Sequence, residues 1–208
     1  MSQLRTSVYI DGFNLYYGQL KGTSYKWLNL LELCRSYLDE TKNIIVKIKY
    51  FTARVKSRPG DPDQSVRQHA YLRALQTLPD MEIIYGHFLS HVVSMPLADG
   101  TGYVNVVKTE EKKSDVNIAV HMLNDAYRDV YDLAVLVSND SDLSEPLRIV
   151  TQEMNKKVGI LNPHKKTSNE LAKYAIFQKK IRSGALAACQ FPFEINDQHG
   201  IIRKPQSW

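Results

Sequence analysis

The feature that most constrains the fold is a run of five apolar residues, Leu133–Val137, that ends abruptly at the polar Ser138. Such a run, bounded by turn-forming residues, is typical of a strand buried on both faces. A sheet with a strand of this kind needs helices on both of its faces. The sequence provides them, because amphipathic helical patterns lie between this strand and the strand-like runs at residues 8–10 and 157–161. The alternation predicts a three-layer α/β fold with a mostly parallel central sheet.

The remaining strand-like patterns refine this expectation. Alternating and aromatic residues predict strands at residues 44–52 and 81–88. Residues 92–93 and 103–107 flank a glycine-containing turn, so a β-hairpin is expected to interrupt the α/β order.

Four helices are predicted in addition to an amphipathic helix at residues 28–38. Asp63 is expected to cap the first, and a last helix is expected to start at Ser168 or Asn169 and to extend through Ile181. The third is expected to run through Leu143, Leu147, Val150 and Met154, with Pro146 in its first turn. The second is predicted to begin at the N-cap Ser114. Its expected core-facing residues follow helical spacing and are Val116, Ala119, Val120, Leu123 and Tyr127. His121 is then expected to face solvent.

Composition limits the class of protein. The 208 residues are 43% hydrophobic and 24% charged, which suits one globular domain, and residues 184–208 lack periodicity. We therefore expect a domain at residues 1–183 and a C-terminal tail at 184–208. No apolar run suggests a membrane span or a signal peptide, so a cytoplasmic protein with reduced Cys34 and Cys189 is expected. The net charge of +5 is compatible with a polyanionic partner.

Carboxylates follow the predicted strands at the points where sites form in α/β proteins. Asp11 ends the first strand, and Asp140 and Asp142 follow Leu133–Val137. Asp115, in the first turn of a predicted helix, could reach the same edge. Each acid taken alone is equally consistent with an ordinary turn or capping residue. Taken together, oxygen ligands without Cys or His favour Mg²⁺ or Mn²⁺, which suits phosphodiester hydrolysis.

Three segments in order resemble a known family. Residues 10–15 (IDGFNL), 111–116 (EKKSDV) and 132–142 (DLAVLVSNDSD) are similar to the motifs of NYN domains, the LabA-like branch of the PIN-like metal-dependent ribonucleases. The resemblance extends over residues 8–177. It implies a PIN-like fold in which Mg²⁺ or Mn²⁺ is held by Asp11, Asp115, Asp140 and Asp142, with Asn14 and Ser138 supporting them.

Two positions depart from the family pattern. Asn139 stands where glycine is usual, which a left-handed backbone would accommodate. Ile176 stands where an acid is usual, and this puts full activity in question.

Basic and aromatic residues near the motifs are candidates for substrate binding. Lys113 lies in the second motif, and His164, Lys165 and Lys166 follow a predicted strand, where they could contact phosphate. The pair Tyr16 and Tyr17 could stack a base, although core packing is the simpler interpretation.

Three functions remain open from the sequence. The leading one is a metal-dependent endoribonuclease acting on RNA, and another is a non-catalytic RNA-binding or regulatory protein that keeps the fold. A phosphatase is suggested by Asp140 and Asp142, whose spacing imitates the loop of haloacid-dehalogenase phosphatases, but that loop belongs after the first strand. RNA is the expected partner, a membrane is not, and a homo-oligomer or a protein partner is left open.

Overall fold

The central element of the computed structural model, which describes residues 2–208, is a six-stranded sheet. Its strands are β1 (Leu4–Asp11), β2 (Asn43–Thr52), β3 (Met81–Tyr85), β6 (Leu133–Val137), β7 (Lys157–Asn162) and β8 (Phe177–Lys180). They lie in the order β3-β2-β1-β6-β7-β8, and every neighbouring pair is parallel. The predicted parallel sheet is confirmed.

Helices cover both faces of this sheet. They are α1 (Gly12–Leu15), α2 (Leu30–Tyr37), α3 (Gln64–Gln76), α4 (Ser114–Tyr127), α5 (Ser144–Arg148), α6 (Asn169–Ala172) and α7 (Ser183–Ala188). Successive residues of β1 belong to opposite cores, because Val8 and Ile10 pack with α2 and α3 whereas Tyr9 packs with α4 and α5. Two cores separated by one sheet confirm the three-layer α/β fold.

A long hairpin stands apart from the central sheet. Strands β4 (His87–Pro96) and β5 (Tyr103–Lys112) pair antiparallel as a sheet of their own. The hairpin prediction is confirmed, but the single strand expected at residues 81–88 is wrong. The chain leaves the central sheet at Gly86, where an added Cβ would lie 2.6 Å from the carbonyl oxygen of Lys112 and against the Glu111 side chain. Glycine permits this close approach, and the approach starts a new sheet.

The orientation of α4 differs from the prediction. Val116, Val120 and Tyr127, which were expected in the core, are exposed. The buried face consists instead of Ile118, Met122, Asp125 and Ala126. Both faces of this helix carry apolar residues at helical spacing, so periodicity alone did not separate them.

The start of α4 also differs from the prediction. Lys113, not Ser114, occupies the N-cap position, with a left-handed backbone of φ 83°. Ser114 is the buried first residue of the helix, and its hydroxyl donates a hydrogen bond to Glu111 at 2.7 Å. The side-chain cap expected from Ser114 is therefore absent from the described contacts.

The predicted last helix is also shorter than expected. It ends as α6 at Ala172, and residues 177–180 instead form β8, which pairs with β7. Ser168 does cap α6, since its hydroxyl accepts the N–H of Leu171 at 3.4 Å. Four residues with the sequence FQKK give little strand signal, so the sixth strand could not be recognised from pattern alone.

Residues 184–208 pack onto the rest of the chain. They contain most of α7 and the antiparallel pair β9 (Glu194–Asp197) and β10 (Gly200–Arg203). Arg73 on α3 pairs with Asp197 at 2.7 Å, and the Trp208 ring packs beside Trp27 and Tyr71. The division of the chain at residue 183 stays a prediction. Among residues 2–208, no helix combines the length and apolar character needed to cross a membrane.

Candidate active site

A pocket of about 340 Å³ lies where β1 ends and the turn after β6 begins. Five of the predicted site residues border it, and a sixth, Ser138, hydrogen-bonds to two of them. The lining residues are Asp11, Phe13, Asn14, Tyr17, Phe88, Thr109, Glu111, Ser114, Asp115, Asp140 and His164.

Asp11 is the most buried carboxylate of the pocket, with 4% of its surface exposed. It ends β1 and caps α1, because one carboxylate oxygen accepts the N–H of Asn14 at 2.9 Å. The other oxygen accepts the hydroxyl of Ser138 at 3.1 Å. Burial raises the pKa of Asp11 to about 6, the two hydrogen bonds oppose this rise, and the charges of Asp115 and Asp140 add to it.

The turn after β6 places Asp140 beside Asp11. The Ser138 hydroxyl also accepts the N–H of Asp140 at 3.1 Å, so one buried side chain ties both acids together. The side-chain oxygen of Asn14 accepts the N–H of Asn139 at 2.9 Å, which joins the first motif to the third.

Asn139 does not have the left-handed backbone that would accommodate asparagine in place of glycine, because its φ angle is not positive. Its side-chain oxygen accepts the N–H of Ser168 at 2.8 Å instead. Asparagine at this position therefore links the turn to the cap of α6, a contact that glycine could not make.

Asp115 reaches the pocket from the first turn of α4. Its pKa is raised, first by partial burial and then by the charges of Asp140, Glu111 and Asp142. Asp115 is nevertheless exposed at the entrance of the pocket. Three chain segments thus bring carboxylates close enough to perturb one another.

Other predicted residues lie outside the pocket lining. Asp142 is exposed on the short turn Ser141–Leu143, and its N–H donates to Asp140 at 3.0 Å. Lys113, Lys165 and Lys166 are exposed at positions that do not border the pocket, whereas His164 does border it.

Comparison with known proteins identifies the family. The model of the NYN domain matches residues 5–179. The chain belongs to the NYN domain family. The fold of this NYN domain is accordingly PIN-like.

Two further proteins resemble this NYN domain. The 6-hydroxy-3-succinoylpyridine 3-monooxygenase HspA of Pseudomonas putida is 34% identical, over 99% of this chain and 75% of the relative. A crystal structure of a protein of unknown function from Vibrio parahaemolyticus matches with a TM-score of 0.58 and 19% identity, over 87% of this chain and 94% of that one. The second likeness concerns the fold alone.

The donor chemistry of the NYN pocket suits a hydrated divalent ion. Within residues 2–208, no three His, Cys, Asp or Glu side chains are arranged as a ready coordination shell. Mg²⁺, however, commonly keeps several waters and takes only one or two carboxylates. Burial raises the pKa values of Asp11 and Asp115, the charges of neighbouring carboxylates raise them further, and a bound cation would relieve that repulsion. The residues present therefore fit Mg²⁺ or Mn²⁺ in chemistry.

One wall of the pocket was not anticipated from the sequence. The hairpin contributes Phe88, Thr109 and Glu111, and Phe88 packs edge-on against Phe13 with ring centres 5.5 Å apart. Glu111 lies inside the second motif, so the sequence could have indicated it as a pocket residue. Nothing in the sequence indicated Phe88 or Thr109, because their position depends on the register between β4 and β5.

Two further residues considered in the sequence analysis, His121 and Ile176, do not line the pocket. His121, expected in solvent, is half-buried with its Nδ1 3.2 Å from the Lys49 ammonium and its ring edge-on to Phe51. Ile176 is exposed just before β8, at the opposite end of that strand from the pocket. The departure from the family pattern at Ile176 therefore leaves the pocket lining unchanged.

Proposed function

We propose that this NYN domain is an endoribonuclease that hydrolyses RNA phosphodiester bonds with the help of Mg²⁺ or Mn²⁺. The observation that supports it is the meeting of Asp11, Asp115 and Asp140, from three separate chain segments, in one pocket of a PIN-like fold. Each of these acids would be an ordinary turn or helix-start residue on its own. The charge of Asp140 adds to the raised pKa values of Asp11 and Asp115, which supports a shared role for the three acids.

Within this proposal the residues of the pocket have different roles. Asp11, Asp115 and Asp140 would hold the ion, and a bound ion would supply charge stabilisation and an activated water. Ser138 and Asn14 fix the orientation of Asp11 through the two hydrogen bonds to its carboxylate. His164 would contact the substrate phosphate from the pocket wall, and Lys165 and Lys166 would hold the backbone further out.

Cleavage of end-labelled single-stranded RNA in Mg²⁺, Mn²⁺ or EDTA tests the proposal. Asp140→Asn should keep the fold and reduce the cleavage rate by orders of magnitude, because it removes one of the charges that hold the ion. Glu40→Gln is the matched control, since Glu40 is an exposed acid near the start of β2, at the other end of the sheet. Equal cleavage by wild type and Asp140→Asn would contradict the proposal. RNA binding without cleavage in any metal would favour the non-catalytic alternative.

A second candidate is oxygen insertion into a hydroxylated pyridine. It is favoured by the 34% identity to the monooxygenase named above, and by the three aromatic residues of the pocket, Phe13, Tyr17 and Phe88. Incubation with 6-hydroxy-3-succinoylpyridine, a reductant and O₂ would test it. Substrate-dependent oxygen uptake by protein that leaves RNA intact would replace the nuclease proposal with this one.

A further inference from the structure

Tyr17 presents an aromatic ring at the edge of the acidic pocket. The simpler interpretation of the sequence, core packing of the two tyrosines, is wrong for this residue, because Tyr17 is 61% exposed and lines the pocket. Its neighbour Tyr16 is half-buried and packs against it, with ring centres 5.3 Å apart at 79°. Tyr17 therefore offers an accessible aromatic face beside Asp11 and Asn14.

The backbone holds Tyr17 in place. It belongs to the π-helical turn Tyr16–Leu20, a local widening that is frequent at functional sites. The following residue, Gly18, lies so close to the loop after β7 that an added Cβ would be 2.7 Å from the Pro163 carbonyl oxygen and 3.0 Å from the His164 ring. Gln19 donates its side-chain amide to the same carbonyl at 2.6 Å. The two residues after Tyr17 are therefore held against the loop that carries His164, and Tyr17 and His164 line the same pocket.

A cation accompanies the ring. The ammonium of Lys21 lies 5.0 Å from the centre of the Tyr17 ring. Lys21 is exposed, and it makes no salt bridge within the part of the chain that the structure describes. An aromatic face next to an uncompensated cation is the combination that binds single-stranded nucleic acid, because the ring stacks a base and the cation contacts phosphate.

We propose that Tyr17 stacks an unpaired nucleobase next to the phosphodiester that enters the pocket, and that Lys21 binds the adjoining phosphate. This inference rests on the proposed ribonuclease function and narrows its substrate to single-stranded RNA. Bases inside a duplex are stacked on one another, so they are not available to a protein side chain. Tyr17 and Lys21 are thus substrate-binding residues that select unpaired RNA.

Fluorescence anisotropy with labelled single-stranded RNA of about 12 nucleotides tests this selection, in Mg²⁺ on an Asp140→Asn background that limits cleavage. Adding Tyr17→Ala should weaken binding by about 5- to 150-fold, whereas Tyr17→Phe should keep it. Tyr127→Ala is the matched control, because Tyr127 is 83% exposed at the far end of α4. Lys21→Ala should lower the salt dependence of binding by about one phosphate contact.

A series of RNAs, each with one abasic site, links the effect to stacking. At one position the missing base should weaken binding to the background protein as much as Tyr17→Ala does. When that abasic RNA is bound by the Tyr17→Ala variant, the affinity should fall no further than with either change alone. Binding that is unchanged by Tyr17→Ala, or tighter binding of duplex than of single strand, overturns this inference and leaves the ribonuclease proposal standing. No binding of any RNA by the background protein overturns both.

Discussion

Lys49 and Asp125 form a buried ion pair of 2.6 Å between the central sheet and α4, with side chains 7% and 8% exposed. The hydroxyl of Tyr9 donates a second hydrogen bond to Asp125 at 2.8 Å. These contacts explain why an acid lies on the inward face of α4. Because α4 carries Asp115 in its first turn, the pair also fixes how that helix lies against β1 and β2.

Breaking this pair should destabilise the protein. Asp125→Asn removes the close counter-ion of the buried Lys49 ammonium and leaves it only Glu82 at 3.9 Å, so we expect the free energy of unfolding to fall by about 3 kcal/mol. The double variant Lys49→Met with Asp125→Leu removes both charges and should lose less. Urea unfolding of the three proteins checks this, and a double variant less stable than Asp125→Asn would contradict it.

The raised pKa of Asp11 predicts a pH dependence of stability. The folded state retains the Asp11 proton up to about pH 6, whereas an unfolded aspartate loses it near its ordinary pKa of 3.8. Between these values the folded state binds more protons, so this group lowers stability as pH rises, by up to about 3 kcal/mol. Asp11→Asn lacks this loss. In EDTA, the stability of Asp11→Asn relative to wild type should therefore increase from about pH 4 to pH 7. Urea unfolding that shows the opposite trend would refute the cause given for the shift.

Gly18→Ala should slow RNA cleavage because it disturbs the wall of the pocket. The new methyl group meets the Pro163 carbonyl and the His164 ring, so we expect a stability loss of about 1–3 kcal/mol. Displacement of His164 and Tyr17 should slow RNA cleavage by about tenfold to a hundredfold. Gly184→Ala is the control, because nothing lies within 4 Å of its added Cβ. Equal rates for the two variants at a temperature where both are folded would count against the role of this contact.

Replacing Lys165 and Lys166 together with Ala should weaken RNA binding and flatten its salt dependence. Both side chains are exposed beyond the pocket, in the loop that carries His164. Loss of two phosphate contacts would reduce the slope of log K against log salt by about 1.4 for a single strand. An anisotropy titration at several NaCl concentrations gives this slope, and an unchanged value would place the RNA backbone elsewhere.

The sequence predicted those parts of the molecule that depend on local pattern. The buried strand Leu133–Val137 and the turn after it were recognisable because apolar residues give way directly to Ser138 and Asp140. The acids at strand ends could be grouped because parallel strands share one carboxyl edge.

The parts that failed depend on distant partners. The charged Asp125 made the buried face of α4 look like a solvent-exposed face. Its ion-pair partner Lys49 is 76 residues away in the chain, so no local pattern indicated that the charge is neutralised. The short β8 is defined by pairing with β7, not by its own composition. Phe88 and Thr109 line the pocket because of the register between β4 and β5, and no local sequence pattern predicts that register.

The hairpin that builds this wall belongs to a sheet of its own and shares no strand pairing with the central sheet. The carboxylates and the surface that encloses them therefore rest on different parts of the architecture. A change in β4 or β5 that spares Glu111, which bonds to Ser114 at the start of α4, can reshape the entrance while the core and the acids stay as they are. Relatives with the same carboxylates can in this way diverge in the molecules they admit.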